Sequence, residues 1–352
     1  ISNWEQEQEN IELQGKISLV HGAVHNSLNI VLMYRGSFNT PKNLKNGIVS
    51  FLGSNGAVAW DFKQDSQPNE MDCSLIDING NGYTDCLVTD ERGLKAIETI
   101  SGEAVRHAHS ADEKSIPELD MPVKLTDFND DGVSELLSVY KQKYFLLISG
   151  NKKLRVENFN NCPHCKSTIS FYNSSTKLKE WPYQNAFVMT PIPFSFQSTK
   201  DNIISLRGHV NGFILKIWEY RKFSKKLSAN FKVSKRSIPV NNQSYYMNEI
   251  SERIVLITFN ETDTHIINAS LTDVYQICNG PNYPNNCQPD HKGQQNSLLI
   301  ADMDHDGSQE LISYSSSYVN KDNDDGSKNW HLVSYLKVFR LENELPTFYG
   351  TK

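Results

Sequence analysis

Long apolar runs are missing from this sequence. The longest, YFLLI (144–148) and IVLITF (254–259), fall far short of the roughly 20 residues that a membrane-spanning helix needs. Catalytic signatures are missing too: there is no G-x-S-x-G elbow, no H-E-x-x-H pair and no phosphate-cradling glycine loop. The 10 histidines are scattered, and RHAHS (106–110) is their densest cluster. No excess of positive charge exists either. The net charge of -6 gives no global reason to expect a nucleic-acid or membrane partner. Few segments carry the i, i+3, i+4 pattern of an amphipathic helix. The chain does not begin with Met and no signal peptide opens it, so it reads as a mature or excised piece with any anchor outside it.

What is present is short β-rich runs punctuated by Gly, Asn, Asp and Ser, such as KISLV, NIVLMY, IVSFLG and AVAWDF. The 352 residues have 38% hydrophobic and 22% charged content, which suits a soluble globular protein of two ordinary domains or one large repeat architecture. One nine-residue pattern recurs in a single register: DINGNGYTD (77–85), DFNDDGVSE (127–135) and DMDHDGSQE (302–310). Each copy follows one β-rich run and precedes another. Strand, loop, strand and two further strands make one blade of a β-propeller. The first two loops lie about 50 residues apart, a blade length. The gap before the third has room for two more units, at about 185–235 and 245–278. A degenerate unit at the start has HNSLN (25–29) in place of the loop. The expectation is an all-β propeller of six four-stranded blades, seven if residues 161–182 belong to another. Residues 1–16 read as a stalk or closing strand, 17–345 as one propeller domain and 346–352 as a tail.

The loops have the chemistry of a hard-cation cradle. Calcium takes six to eight oxygens, and alternate residues of a tight loop converge on one point. In loop one Asp77, Asn79, Asn81 and Asp85 offer side-chain oxygens and Tyr83 its carbonyl. In loop two the set is Asp127, Asn129, Asp131 and Glu135 with the Val133 carbonyl. In loop three it is Asp302, Asp304, Asp306 and Glu310 with the Ser308 carbonyl. Gly82, Gly132 and Gly307 all hold position six, where the chain needs an angle other residues resist. Carboxylates rise from two to three to four along the series, so affinity is expected to rise in that order. The plainer alternative is an Asx-rich hairpin turn without metal. These are not EF-hands: position twelve, which needs a bidentate Glu, holds Val88, Ser138 and Ser313. NKDNDDGSKN (320–329) places Lys321 in the first ligand slot, so it reads as a solvated hairpin connection.

With an acid at position nine, the three loops resemble the FG-GAP repeats of integrin alpha chains and the related VCBS repeats. The resemblance covers the second, third and last units well and the others poorly; the Phe-Gly…Gly-Ala-Pro element survives as an echo in FLGSNGAVAW (51–60). It implies a calcium-stapled extracellular propeller, most like the outer part of single-pass membrane proteins carrying FG-GAP repeats, with about three Ca2+ sites. The implied role is non-enzymatic: a receptor or adhesion module meeting a protein or glycan at the cell surface. The rivals are an enzyme on the same scaffold and a structural accessory subunit of a membrane complex. GSNGAVAWDF (53–62) and ISGEAVRHA (100–108) faintly resemble the hairpins of quinoprotein dehydrogenase blades, and propellers also host lyases and hydrolases.

Six cysteines sit as three close pairs, Cys73/Cys86, Cys162/Cys165 and Cys278/Cys287, and the spacing favours bridges between neighbours. Sequons occur at Asn173, Asn242, Asn260 and Asn268. Together they point to the secretory pathway, on the extracellular side of a membrane or secreted. CPHC (162–165) also has the spacing of a redox pair, but KSTISFYNSS reads as extended chain where that chemistry uses a helix. Redox and zinc stay open beside a structural bridge. YRKFSKKLSANFKVSKR (220–236) carries seven Lys or Arg, no acid and the aromatics Tyr220, Phe223 and Phe231. It is a candidate site for sulfated glycans or anionic head groups, against the bland reading of two exposed strands.

Overall fold

The computed structural model describes residues 3–22, 27–38, 40, 45–77, 79–108, 136–140, 144–149, 152–173, 175–194, 197–198, 203–204, 212–227, 232–233, 244–259, 264–280, 286–322 and 328–341. The described residues are all-β, in sheets whose strands are mainly antiparallel. Strand β1 (Trp4–Glu9) precedes a four-stranded meander of β2 (Ile11–His21), β3 (Leu28–Gly36), β4 (Asn46–Phe51) and β5 (Val58–Gln64). A second follows: β6 (Pro68–Ile76), β7 (Asp85–Asp90), β8 (Gly93–Ile97) and β9 (Ala104–Ala108). The next sheet has five strands, β10 (Leu136–Tyr140), β11 (Tyr144–Ser149), β12 (Lys152–Phe159), β13 (Lys166–Asn173) and β14 (Thr176–Gln184). Short strands β15 (Ala186–Val188) and β16 (Ile192–Phe194) come next, then a small hairpin of β17 (Gln197–Ser198) and β18 (Ile203–Ile204). After these come β19 (Gly212–Lys226), β20 (Lys232–Val233), β21 (Tyr245–Phe259), β22 (Thr264–Asn279) and β23 (Cys287–Gln288). The chain finishes its described course with β24 (Leu298–Ala301), β25 (Glu310–Asp322) and β26 (Lys328–Arg340).

Two compact units emerge, one of residues 1–124, 232–237 and 292–340, the other of 125–231, 238–291 and 341–352. In the first, β1 pairs antiparallel with β26, from Trp4↔Val338 to Glu9↔Val333. The acidic opening of the chain is therefore the outer strand of a sheet ordered β1-β26-β25-β24. From Ile11 the chain already belongs to the next sheet. The run Ile30 to Tyr34 is buried on both faces of β3, which is why it reads as a continuous apolar stretch rather than an alternation. Ile30, Leu32 and Tyr34 pack with Met303, Ile312, Leu336 and Val338 of the last sheet region. Val31 and Met33 turn the other way, onto Met71, Cys73, Val88 and Ile97. The β2–β5 sheet is thus sandwiched between two others.

The same contact joins each of these sheets to the next. The Trp4 indole N–H of β1 donates to the Gly53 carbonyl in the β4–β5 hairpin at 2.9 Å. The Trp60 indole of β5 donates to the Thr99 carbonyl in the β8–β9 hairpin at 2.8 Å. Each hairpin closes alike, with Leu52 N–H on Ala57 O and Glu98 N–H on Glu103 O. Each places a glycine at φ 75°, Gly56 and Gly102. A Cβ there would lie 2.5 Å from the Trp4 ring or 2.6 Å from the Trp60 ring, so only glycine lets the indole settle on the turn.

The second unit holds the β10–β14 sheet and a sheet ordered β15-β19-β21-β22-β23, with β16 also on β19. Its core joins Leu154, Val156, Ile169 and Phe171 to Phe213, Leu215, Ile217, Val255 and Ile257. The sequence predicts separate units at 185–235 and 245–278; the structure corrects this, since β19, β21 and β22 run as neighbours in one sheet. Register shifts at Tyr220/Lys222 and Lys222/Lys225 in β19 break the alternation that makes one long strand legible. Residues 161–182 likewise belong to the β10–β14 sheet and its Cys162–Cys165 turn. The 320–329 connection joins β25 to β26, whose register ends at Asp322↔Lys328.

Gly102→Ala should cost about 3 kcal/mol, combining left-handed strain with overpacking against Trp60. Trp60→Phe should cost about 1–2 kcal/mol through the stranded Thr99 carbonyl. Urea unfolding of both variants checks the ranking.

Candidate functional site

Loops one and three follow one backbone path. In both, the residue before position one pairs with the residue at position nine, Ile76↔Asp85 and Ala301↔Glu310. The first aspartate gathers the turn around itself. Asp77 accepts from the Gly80 and Gly82 N–H groups at 2.7 and 2.8 Å. Asp302 accepts from Asp306 and Gly307 N–H at 3.1 and 3.0 Å. Position five then takes the N–H of position seven: Asn81 from Tyr83 at 2.9 Å and Asp306 from Ser308 at 2.8 Å. In loop one Asn79 also accepts from the Asn81 N–H. Positions four and six are left-handed in both, with Gly80 at 72° and His305 at 57°, then Gly82 and Gly307 at 88°.

Position nine is fully buried in each loop, as Asp85 and Glu310. One Glu310 oxygen accepts the Met303 N–H at 2.9 Å; Oε1 accepts no hydrogen bond. Oxygens of Asp302, Asp304 and Glu310 lie within 4.8 Å of one another. Burial pushes the Glu310 carboxyl up to about 7, and the charges of Asp304 and Asp302 push the same way against the Met303 N–H. An all-oxygen, acid-rich cradle with a buried oxygen lacking a donor fits a hard cation.

Sequence reasoning missed a cation already beside this cluster. Arg340 contacts Asp306, and its guanidinium stands 3.9 Å from Asp304 and 3.7 Å from Glu310 Oε1. Cross-strand pairing, Glu310↔Arg340, puts it there. Loop one has an acid nearby instead: Glu98 accepts from the Asn81 side-chain amide at 2.9 Å. A cleft of about 310 Å³ also opens beside both loops, lined by Leu19, His21, Leu28, Tyr83, Thr84 and His305. His21 and Tyr83 tilt together there, ring centroids 5.7 Å apart. Loop two, with Asp127, Asn129, Asp131, Val133 and Glu135, lies outside the described residues.

The cysteines form three disulfides, Cys73–Cys86, Cys162–Cys165 and Cys278–Cys287. The first spans loop one. The second sits in a core with Met189, Trp218, Tyr220 and Ile250, while His164 turns outward to meet Phe223 edge-on at 4.7 Å. Joined sulfurs leave no thiolate pair for zinc. Three bridges point to an oxidising compartment, and no helix among the described residues is long and apolar enough to cross a membrane.

The basic stretch is partly neutralised. Arg221 pairs with Asp273 at 3.1 Å and Lys222 with Glu249 at 2.8 Å. Tyr220 is buried and Phe223 packs against the core, whereas Lys225 and Lys226 are exposed. Phe231, Lys235 and Arg236 lie outside the described residues. Among the sequons, Asn268 is exposed on β22 and half-buried Asn173 ends β13 opposite Thr176. Asn242 and Asn260 are not described.

A Cβ at Gly82 or Gly307 meets nothing within 4 Å, so alanine there suffers only backbone strain. Each variant should lose about 1 kcal/mol, less than Gly102→Ala, in the same urea experiment. No protein-family model matches this chain, and no curated protein matches it.

Proposed function

We propose that this chain is a non-enzymatic extracellular binding module, a β-propeller of the FG-GAP/VCBS kind whose acidic loops are stapled by Ca2+. The carrying observation is the common path of loops one and three, which encloses a position-nine carboxylate and gathers Asp302, Asp304 and Glu310. In loop one Asp77, Asn79, Asn81, Asp85 and the Tyr83 carbonyl would hold the ion. In loop three Asp302, Asp304, Asp306, Glu310 and the Ser308 carbonyl would hold it. A bound ion would supply positive charge to these buried carboxylates and tie the two strands across each loop. A site filled by its own loop would have little room for substrate, which favours a staple over a catalyst.

The recurring Trp-on-hairpin contact supports a ring of stacked sheets, since one geometric relation repeated from sheet to sheet is what a propeller requires. β1 in the β24–β26 sheet supports closure by an N-terminal strand. Disulfides and exposed Asn268 support a cell-surface or secreted setting, with a protein or glycan as partner.

A site with free calcium at about one hundred times its dissociation constant adds roughly 2.7 kcal/mol. Thermal unfolding in calcium, in excess EDTA and after restoring calcium should therefore show a reversible loss of several degrees. An unchanged midpoint, with no calcium in the purified protein, would remove the metal staple. For the binding role, the calcium-loaded chain should bind a member of a cell-surface ectodomain and sulfated-glycan panel, and EDTA should weaken that binding.

A further inference from the structure

Resting on the cell-surface or secreted setting proposed above, we infer that Asn268 carries an N-linked glycan and that this glycan shields the open outer edge of β22. The sheet leaves that edge bare. β22 pairs with β21 along its inner side, from Tyr245↔Asn279 to Phe259↔Thr264. On its outer side, among the described residues, β23 reaches it only at Ile277 and Cys278. Asn268, Ser270, Leu271, Thr272 and Asp273 are exposed. Neighbours along a strand point to opposite faces, so this stretch is open on both. Leu271, 60% exposed, is the most exposed large apolar side chain among the described residues.

Such an edge invites a foreign strand, and the local sequence adds to the hazard. IINASLT (266–272) has no charge, no proline and no glycine, the signature of segments that stack into cross-β sheets. Asp273, the next residue, is tied to Arg221 at 3.1 Å. Other outer strands carry their own defence: β5 reads VAWDFKQ and β14 reads TKLKEWPYQ, with charge or proline at the edge. β22 has a sequon instead, Asn268-Ala269-Ser270, in the middle of its undefended run. The ladder shifts register there, with Asn268 opposite Val255 and Ser270 opposite Ile254, so Ala269 stands in a bulge. The modification exchanges one bond for another. The Asn268 Nδ2 takes C1 of the first sugar of a lipid-pyrophosphate-linked oligosaccharide, the lipid pyrophosphate leaves and the amide releases one proton. A bulky hydrated chain rooted three residues before Leu271 then covers the apolar side chain and the unpaired strand edge together.

Enzymatic deglycosylation of the chain from its native cells, followed by peptide mass spectrometry, tests the modification: Asn268 should be recovered as aspartate, the product left where a glycan stood. An unmodified Asn268 in a chain whose three bridges are formed overturns the proposal and leaves the secreted setting standing; with reduced cysteines it removes both. Size-exclusion chromatography with light scattering tests the shield. Asn268→Gln and Ser270→Ala, made in a glycosylating host, should each shift several-fold more material to high mass than wild type does. Ser270→Thr, which keeps the sequon, should not. Deglycosylating the folded wild type should give the same shift without any substitution, and decides the matter if a variant misfolds. Adding Leu271→Lys to Asn268→Gln should restore the wild-type profile by placing a charge on the edge. Glycan-free chains that keep the wild-type profile, or that lose it and are not restored by Leu271→Lys, overturn the shield.

Discussion

An indole laid on a left-handed glycine is the contact on which the first unit depends. β3 has apolar side chains on both faces, Ile30, Leu32 and Tyr34 on one and Val31 and Met33 on the other. Such a strand is stable only with a sheet against each side. Trp4 and Trp60 deliver those neighbours at a fixed spacing, each spending its one N–H on a hairpin carbonyl. The aromatic ring contributes area and the N–H contributes direction, so the sheets cannot slide past one another without stranding a buried donor.

The acidic loops face a different constraint. A carboxylate removed from water is tolerated only when donors or opposite charge surround it. Position one meets this with backbone N–H groups, which is why Gly82 and Gly307 take the same angle. Position nine, which opens the next strand, is fully buried in both loops. Glu310 is left with one donor, from Met303. Such a carboxylate calls for positive charge, and the Arg340 guanidinium stands 3.7 Å from its other oxygen.

Much of this was legible in the sequence, and the limit falls at strand register. Asp302, Asp304 and Glu310 lie within nine residues of one another, so their approach follows from local chain geometry, as does the left-handed glycine at Gly82 and Gly307. The cysteine pairs and the β-rich runs are local in the same way. Arg340 and Glu98 carry no local signal, because they reach the loops across a strand pairing rather than along the chain. Trp60 appears as an ordinary strand aromatic until its hairpin partner, 39 residues away, is known. The sequence separates β19 from β21 and β22 because bulges interrupt the period, although the pairing runs on through them. Arg221 and Lys222 look like part of a free patch for the same reason: Asp273 and Glu249 neutralise these two from other strands.

The pairing of β1 with β26 has a consequence for biosynthesis. Leu13 N–H donates to the Ser334 hydroxyl across 321 positions of chain, and the outer strand of the last sheet is the first to be made. During translation Trp4 can already settle on the Gly53 hairpin, but β1 has no hydrogen-bonded partner until β26 leaves the ribosome. Contacts of such long range form slowly, and an unpaired edge kept waiting is where nascent chains aggregate. The alternating Glu and Gln of WEQEQE give that waiting edge a charged, water-seeking face. A charged edge of this kind is one of the ways in which sheets discourage pairing with the wrong strand.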